Sequence, residues 1–287
     1  MIKTYLAPAK INLCLHVLGK RADGYHDLAM LMQRVSLYDR ITLRLSTESG
    51  VRVQCAGVSL SADQENIAAR AARGLLKSAG LNTGVDIQID KQIPVAAGLG
   101  GGSSDAATVL MALNEMLELK LSSQALREQG VKLGADVPFF VFGHAAWATG
   151  IGDVLQKVED LPPVWYVLVN PGIAVSTAWA YANLRLTSRR DDLKIPRFSR
   201  VVDSVTSVLY NDLEDVTVIH HPQIDQVKRR LSALGAAGTL MSGSGSTVFG
   251  VFAEEAEAVA ASERLRQESS WRVFVVRPVE GQGPISG

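Results

Sequence analysis

Apolar and polar positions alternate from the start of the chain. Ile11, Leu13, Leu15 and Val17 alternate with Asn12, Cys14 and His16, the period-two pattern of a strand with one buried face. Residues 39–45, 51–55 and 85–89 repeat it. Residues 66–79 are rich in Ala and Leu and closed by Gly80, which predicts a helix. The first half therefore opens with several strands expected to be antiparallel, then a helix, then a strand, unlike a regular βαβ series. Helices are predicted over 103–119 and 122–133, the second stopped near Gly134, and Val137-Pro138-Phe139-Phe140-Val141 is too apolar for a surface loop. Residues 159–163 read as a linker and predict two domains, 1–160 and 161–287. Beyond it the pattern predicts strands at 165–170, 247–252 and 272–276, with helices at about 177–184, 199–209, 223–234 and 254–267. A polar loop is expected at 187–194, and the glycine-rich segment 281–287 is expected to fray. No internal repeat stands out.

Composition narrows the class. A chain of 287 residues with 47% hydrophobic and 20% charged content can bury a large core without metals or disulfides, and is too apolar to be mainly disordered. Lys and Arg (29) balance Asp and Glu (29). That removes the global electrostatic case for a nucleic-acid partner, so an anionic ligand must be met by local charges and backbone dipoles. Cys14 and Cys55 cannot build a disulfide framework or a four-cysteine zinc site, and read as buried thiols on or beside strands. The first residues lack a signal-peptide pattern. Residues 161–184 carry no charge, yet Pro162, Pro163, Pro171 and Gly172 disqualify them as a membrane span. The cytoplasm is the default location.

The strongest chemical signal runs from Pro94 to Thr108: Pro94, Val95, Ala96, Ala97, Gly98, Leu99, Gly100, Gly101, Gly102, Ser103, Ser104, Asp105 and on into an Ala-rich helix. The glycines permit positive φ and close backbone approach, and Ser103, Ser104 and Asp105 suit a helix start. Exposed amides at a helix N-terminus attract phosphate. A plain glycine turn with a serine cap is the alternative, but four glycines in five positions before a helix exceed what turning needs. The frames Gly-x-x-x-x-Gly-Lys-Ser/Thr and Gly-x-Gly-x-x-Gly both fail here, and the protein-kinase motifs are absent.

This segment resembles the phosphate-binding motif of the GHMP kinases. Ala7-Pro8-Ala9-Lys10-Ile11-Asn12-Leu13, Asp23-Gly24-Tyr25-His26, Gly134-Ala135-Asp136-Val137-Pro138 and Ser242-Gly243-Ser244-Gly245-Ser246 follow the family order. The resemblance implies an α+β fold of two domains, an N-terminal one like that of a ribosomal protein and a C-terminal ferredoxin-like one. It implies ATP-dependent phosphorylation of a hydroxyl on a cytidine-diphosphate-linked sugar alcohol in the non-mevalonate route to isoprenoid precursors, with Mg2+ expected and its ligands unnamed. Lys10 and Asp136 match the catalytic pair: a carboxylate accepts the hydroxyl proton, and a neighbouring lysine keeps it ionised. Asn66 and Lys91 join the 94–104 loop as the ATP side. Asn12, Tyr25, His26, Thr177, Tyr181, Gly243 and Ser244 form the substrate side, with Tyr25 and Tyr181 expected to clamp the base and Trp179 the alternative second face. Asp105 is expected to cap the helix or to face away from phosphate. Another GHMP kinase with a smaller substrate, or a non-catalytic binding module, are the competing readings. The Asp-Gly-Tyr-His turn and the Lys10/Asp136 pair count against them.

Overall fold

The computed structural model describes residues 1–56, 65–185, 193–199 and 201–287. Its first element is a long hairpin of β1 (Ile2–Lys20) and β2 (His26–Ser46), paired antiparallel along nearly their whole length. Both strands are much longer than the alternation suggested. Register shifts at Pro8/Ala9, Asn12/Cys14 and Val17/Gly19 break the two-residue period, and residues 7–15 are buried on both faces. A strand covered on both sides has no polar face to alternate with.

The elements that follow are β3 (Val51–Ala56), α1 (Ile67–Ser78), β4 (Gly84–Asp90), α2 (Gly101–Met116), α3 (Ser123–Val131), α4 (Val137–Phe142), β5 (Ala146–Gly150) and β6 (Val154–Lys157). Then come β7 (Trp165–Asn170), α5 (Thr177–Asn183), α6 (Val202–Thr206), β8 (Tyr210–Asn211), α7 (Asp212–His220), α8 (Gln223–Ala233), β9 (Gly238–Met241), β10 (Val248–Phe252), α9 (Glu255–Glu268), β11 (Arg272–Val276) and β12 (Ile285–Ser286). The first sheet runs β12-β1-β2-β4-β3, with β5 and β6 continuing from β2 and β8 beside β1. Its pairs are antiparallel as expected, except β3–β4 and β1–β8, which are parallel. β3 reaches β4 through α1, so one βαβ crossover sits inside a mainly antiparallel sheet. The second sheet, β11-β7-β10-β9, is antiparallel throughout.

Helices cover one face of the first sheet. α1 turns Ala68, Ala71, Ala72 and Leu75 into the core, where they meet Ala106, Val109, Leu110 and Leu113 of α2. Small residues on both helices permit this close approach. The apolar run at 137–141 is the short helix α4, with Pro138 in its first turn, where a missing N–H breaks no helical bond. α7 and β9 lie where no element was predicted. The segment 281–287, expected to fray, is instead docked: Ile285 and Ser286 pair with Leu6 and Tyr5. Residues 187–192 of the anticipated polar loop lie outside the described residues. Cys14 is buried and its thiol is pushed up to about 12 by that burial, while Cys55 is half-buried; both are free. No helix among the described residues is long and apolar enough to cross a membrane.

Phe140 is 1% exposed, and its ring lies where a side chain at Gly100 would have to go. It therefore supports α4 and the glycine loop together. Phe140→Ala is expected to lower unfolding free energy by about 3–5 kcal/mol, measured by urea titration; a loss below about 1 kcal/mol would show that the core closes over the gap.

Candidate active site

A cavity of about 1420 Å³ opens where the first sheet, the start of α2 and the loop after β9 converge. Pockets for one drug-sized ligand run to roughly 1,000 Å³, so this one has room for two. Its lining includes the residues expected on the ATP side: Asn66, Lys91, Pro94, Val95, Ala96, Ala97, Gly98, Leu99, Gly100, Gly101, Gly102 and Ser103. Lys10 and Asp136 stand between these and Asn12, Tyr25, His26, Thr177, Tyr181, Gly243 and Ser244. Of the site residues expected from sequence, Ser104 alone is off the cavity: it is buried within α2, and its hydroxyl has no partner.

The glycine loop is shaped by backbone demands. α2 begins at Gly101, two residues earlier than the serines suggested, with Gly100 at φ 68° as its cap and no side chain bonding to its first amides. Those amides remain open to an anion. Gly98 is fixed differently: a Cβ there would lie 1.9 Å from the Ser242 carbonyl oxygen. The loop after β9 is thus pressed against the glycine loop. The Ser242 hydroxyl donates to the Gly98 carbonyl at 2.9 Å and accepts from the Asn12 amide at 3.2 Å. Asn211 supports the same loop by donating to the carbonyls of Met241 and Gly243, both at 2.8 Å.

Lys10 is buried on β1, with its Nζ 2.6 Å from Asn12 Oδ1 and 3.6 Å from Asp136 Oδ2. Asp136 precedes α4 but makes no capping bond, so its carboxylate is left for Lys10 and the cavity. Its side chain is 30% exposed against 6% for Lys10: the carboxylate is reachable while the cation is shielded.

Lys91 lines the cavity, but its ammonium is already engaged. It donates to Asp39 and, at 2.8 Å, to Asp105. Asp39 also accepts from the amides of Gln92 and Ile93 at 2.6 and 2.9 Å. Asp105 therefore does not cap α2; it turns away from the helix start to meet Lys91. Burial pushes its carboxyl up to about 8; Lys91 opposes this and Asp39 adds to it. Lys91 is held above the usual lysine range because its two carboxylates outweigh the cost of burial.

At the other end, the turn between β1 and β2 is held by Arg21, which pairs with Asp23 at 2.9 Å and Asp27 at 3.0 Å. This turn brings His26 over Tyr181, ring centroids 4.9 Å apart and 23° from parallel. Tyr181 therefore stacks on His26 and not on Tyr25, which stands 58% exposed at the rim. Burial, reinforced by the Lys20 charge, lowers the His26 pKa, while burial and the Asp136 charge push the Tyr181 phenol well above the usual tyrosine range. Trp179 packs edge-on against His220 and does not line the cavity. Thr177 and Ser244 share a hydrogen bond of 3.0 Å. Sequence reasoning missed Lys20 and Arg70 at the rim, since lone surface cations carry no motif.

Open helix amides beside a shielded lysine and a reachable carboxylate define a class: a phosphotransferase cleft. Known proteins agree. The GHMP kinases N terminal domain model matches residues 66–144, and the GHMP kinases C terminal model matches 195–270. A Syntrophotalea carbinolica protein named 4-diphosphocytidyl-2-C-methyl-D-erythritol kinase is 66% identical over 97% of this chain and 99% of its own length. A Geobacter sulfurreducens protein of the same name is 53% identical over 96% and 99%. A crystal structure of 4-(cytidine 5'-diphospho)-2C-methyl-D-erythritol kinase superposes with a TM-score of 0.81 at 38% identity, covering 97% of this chain and 100% of that one. Homoserine kinase from Cytophaga hutchinsonii shares the fold, with a TM-score of 0.77 at 18% identity over 99% and 96%. The chain belongs to the GHMP kinase family.

The Asp105 cluster makes stability depend on pH. Its carboxyl holds a proton more tightly folded than unfolded, so the folded state binds more protons between about pH 4 and about pH 8. Stability from this group is complete below that window and is lost as pH rises through it. Asp105→Asn should flatten the fall of Tm across that range; parallel curves for variant and parent would exclude the link.

Proposed function

We infer that this chain is the ATP-dependent kinase that phosphorylates the 2-hydroxyl of 4-diphosphocytidyl-2-C-methyl-D-erythritol, on the non-mevalonate route to isoprenoid precursors. The observation that carries the reading is near full-length identity of 66% to a relative of that name. The site supports it, because one cavity holds an anion-binding helix start, a Lys–Asp pair and an aromatic platform. A smaller alcohol such as homoserine has no use for the platform.

Asp136 takes the proton of the attacking hydroxyl. Lys10 stabilises charge developing on the transferred group, while Asn12 holds the ammonium in place. The amides opening α2 receive the phosphates, and Asn66, capping α1 through Ala68 N at 2.8 Å, borders the adenine. Tyr181 and His26 support the cytosine, and the exposed Tyr25 covers its other face. Thr177, Gly243 and Ser244 line the way between. No group of three or more His, Cys, Asp or Glu among the described residues could cage a metal. Mg2+ arriving on the triphosphate would neutralise phosphate charge and take most of its ligands from phosphate and water.

We assign residues 1–160 to the nucleotide-binding domain and 161–287 to its companion, supported by a second sheet drawn entirely from the latter. Cytoplasmic small-molecule chemistry is consistent with the balanced charge, which offers nucleic acid no basic platform.

In a coupled assay over the cytidyl substrate, mevalonate, homoserine and galactose, turnover is expected with the first alone. Preference for another member of the panel would overturn the assignment. Asp136→Asn should lower kcat by roughly 10²–10⁴-fold with ATP affinity little changed, and near-normal turnover would remove it from the mechanism. Tyr181→Ala and Tyr25→Ala should each weaken the cytidyl substrate by about 1–3 kcal/mol and leave the KM for ATP alone. Normal KM values in both variants would refute the base site.

A further inference from the structure

The helix that carries Asp136 is too short to place itself. α4 has six residues, whereas isolated helices below about 12–15 residues are marginal in water. At its start Asp136 makes no capping bond. Its position against Lys10 must therefore come from the core face, Phe139 and Phe140, and from whatever holds the far end.

The far end is clasped. Gly143 closes α4 at φ 80°, and its carbonyl accepts from Arg34 Nη2 and from the Gly281 amide at 2.9 Å. The same Nη2 donates to the Gly281 carbonyl at 2.7 Å. A Cβ on Gly143 would come within 2.4 Å of that carbonyl oxygen, so the contact leaves no slack. The approaching segment is tied to β2: the Ser36 amide bonds the Arg277 carbonyl at 3.0 Å, and the Val279 amide bonds the Arg34 carbonyl at 2.9 Å. Arg34 is 1% exposed and stands on β2 directly opposite Lys10 on β1. One strand pair thus carries both the lysine and the side chain that grips the far end of its partner's helix. The guanidinium also suits its place, since a cation at a helix C-terminus opposes the negative end of the dipole. Burial lowers its pKa only to about 10, so it keeps its charge near neutrality.

We propose that Arg34 and the segment ending in Gly281 are positioning residues for Asp136, fixing its distance to Lys10 through α4. The proposal rests on the reading of Asp136 as the base. A displacement of about 1 Å at a reacting group can cost roughly 100-fold in rate, so loosening the clasp acts on turnover more than on binding.

Two variants test it: the full chain with Arg34→Met, a side chain of comparable reach that donates no hydrogen bond, and a chain ending at Glu280. Activity is expressed per nucleotide-binding site, so any unfolded fraction drops out. Each is expected to lose about 10- to 100-fold in kcat with the KM for ATP and for the cytidyl substrate unchanged. Placed in Asp136→Asn, neither change should lower the residual rate further, because the group it positions is gone. Unchanged kcat, a rise in KM in place of the kcat loss, or an equal loss in the Asp136→Asn background overturns the proposal. Near-normal turnover of Asp136→Asn alone overturns the base assignment instead, and the two failures are told apart.

Discussion

One hydroxyl holds the cleft together. Ser242 Oγ accepts from the backbone of β1 at Asn12 and donates to the glycine loop at Gly98, using both capacities of a serine side chain at once. Three pieces of chain distant in sequence meet there: the strand carrying Lys10, the loop that opens α2, and the turn after β9. The packing around the bond is tight enough that Gly98 can be nothing else, its α-carbon facing the Ser242 carbonyl. Asn211 reinforces the same turn from β8. The position of the open α2 amides relative to Lys10 is therefore set by side chain–backbone bonds from the second half of the molecule.

Besides Lys20 at the rim, two largely buried lysines reach this cavity, and they differ in kind. Lys91 lies between two buried carboxylates, and its charge is spent on anchoring the end of β4 to α2. Lys10 has one carboxylate at 3.6 Å, and that carboxylate is partly open to the cavity. An ammonium bonded to two buried carboxyl groups has little left for another anion, whereas one held by a neutral amide at 2.6 Å and a carboxylate at 3.6 Å keeps charge to offer an anion in the cavity. The distance and chemistry of their partners separate the two ammoniums, although both are largely buried.

What could be read from sequence follows the range of the interaction. The glycine loop was legible because its demand is local: positive φ at Gly98 and Gly100 leaves its mark in residue type. Alternation marked parts of β1 and β2 but not residues 7–10 or 28–35, where burial on both faces erased the period. Lys10 and Asp136 carry no mutual pattern, and only the family resemblance joined them. The stack of His26 on Tyr181 could not be foreseen, since it depends on how a hairpin turn meets a helix from the other half. Asp105 was ambiguous for a similar reason: its local role as a cap lost to a lysine fourteen residues away. The segment 281–287 misled through composition. Its glycines suggested disorder, yet Gly281 and Gly143 are what let two backbones touch.

The order of strands in the first sheet bears on how the chain is made. β1 emerges from the ribosome well before its neighbours β8 and β12, which belong to residues 210–211 and 285–286. At about 5–20 residues per second, synthesis leaves that edge of β1 without its last partner for roughly 13–53 s. During this interval it presents unpaired backbone groups beside an apolar surface, the situation in which strands recruit the wrong partner. The nascent first half therefore calls for shelter by a chaperone, or for slow passage through the second half, until the closing strand is delivered.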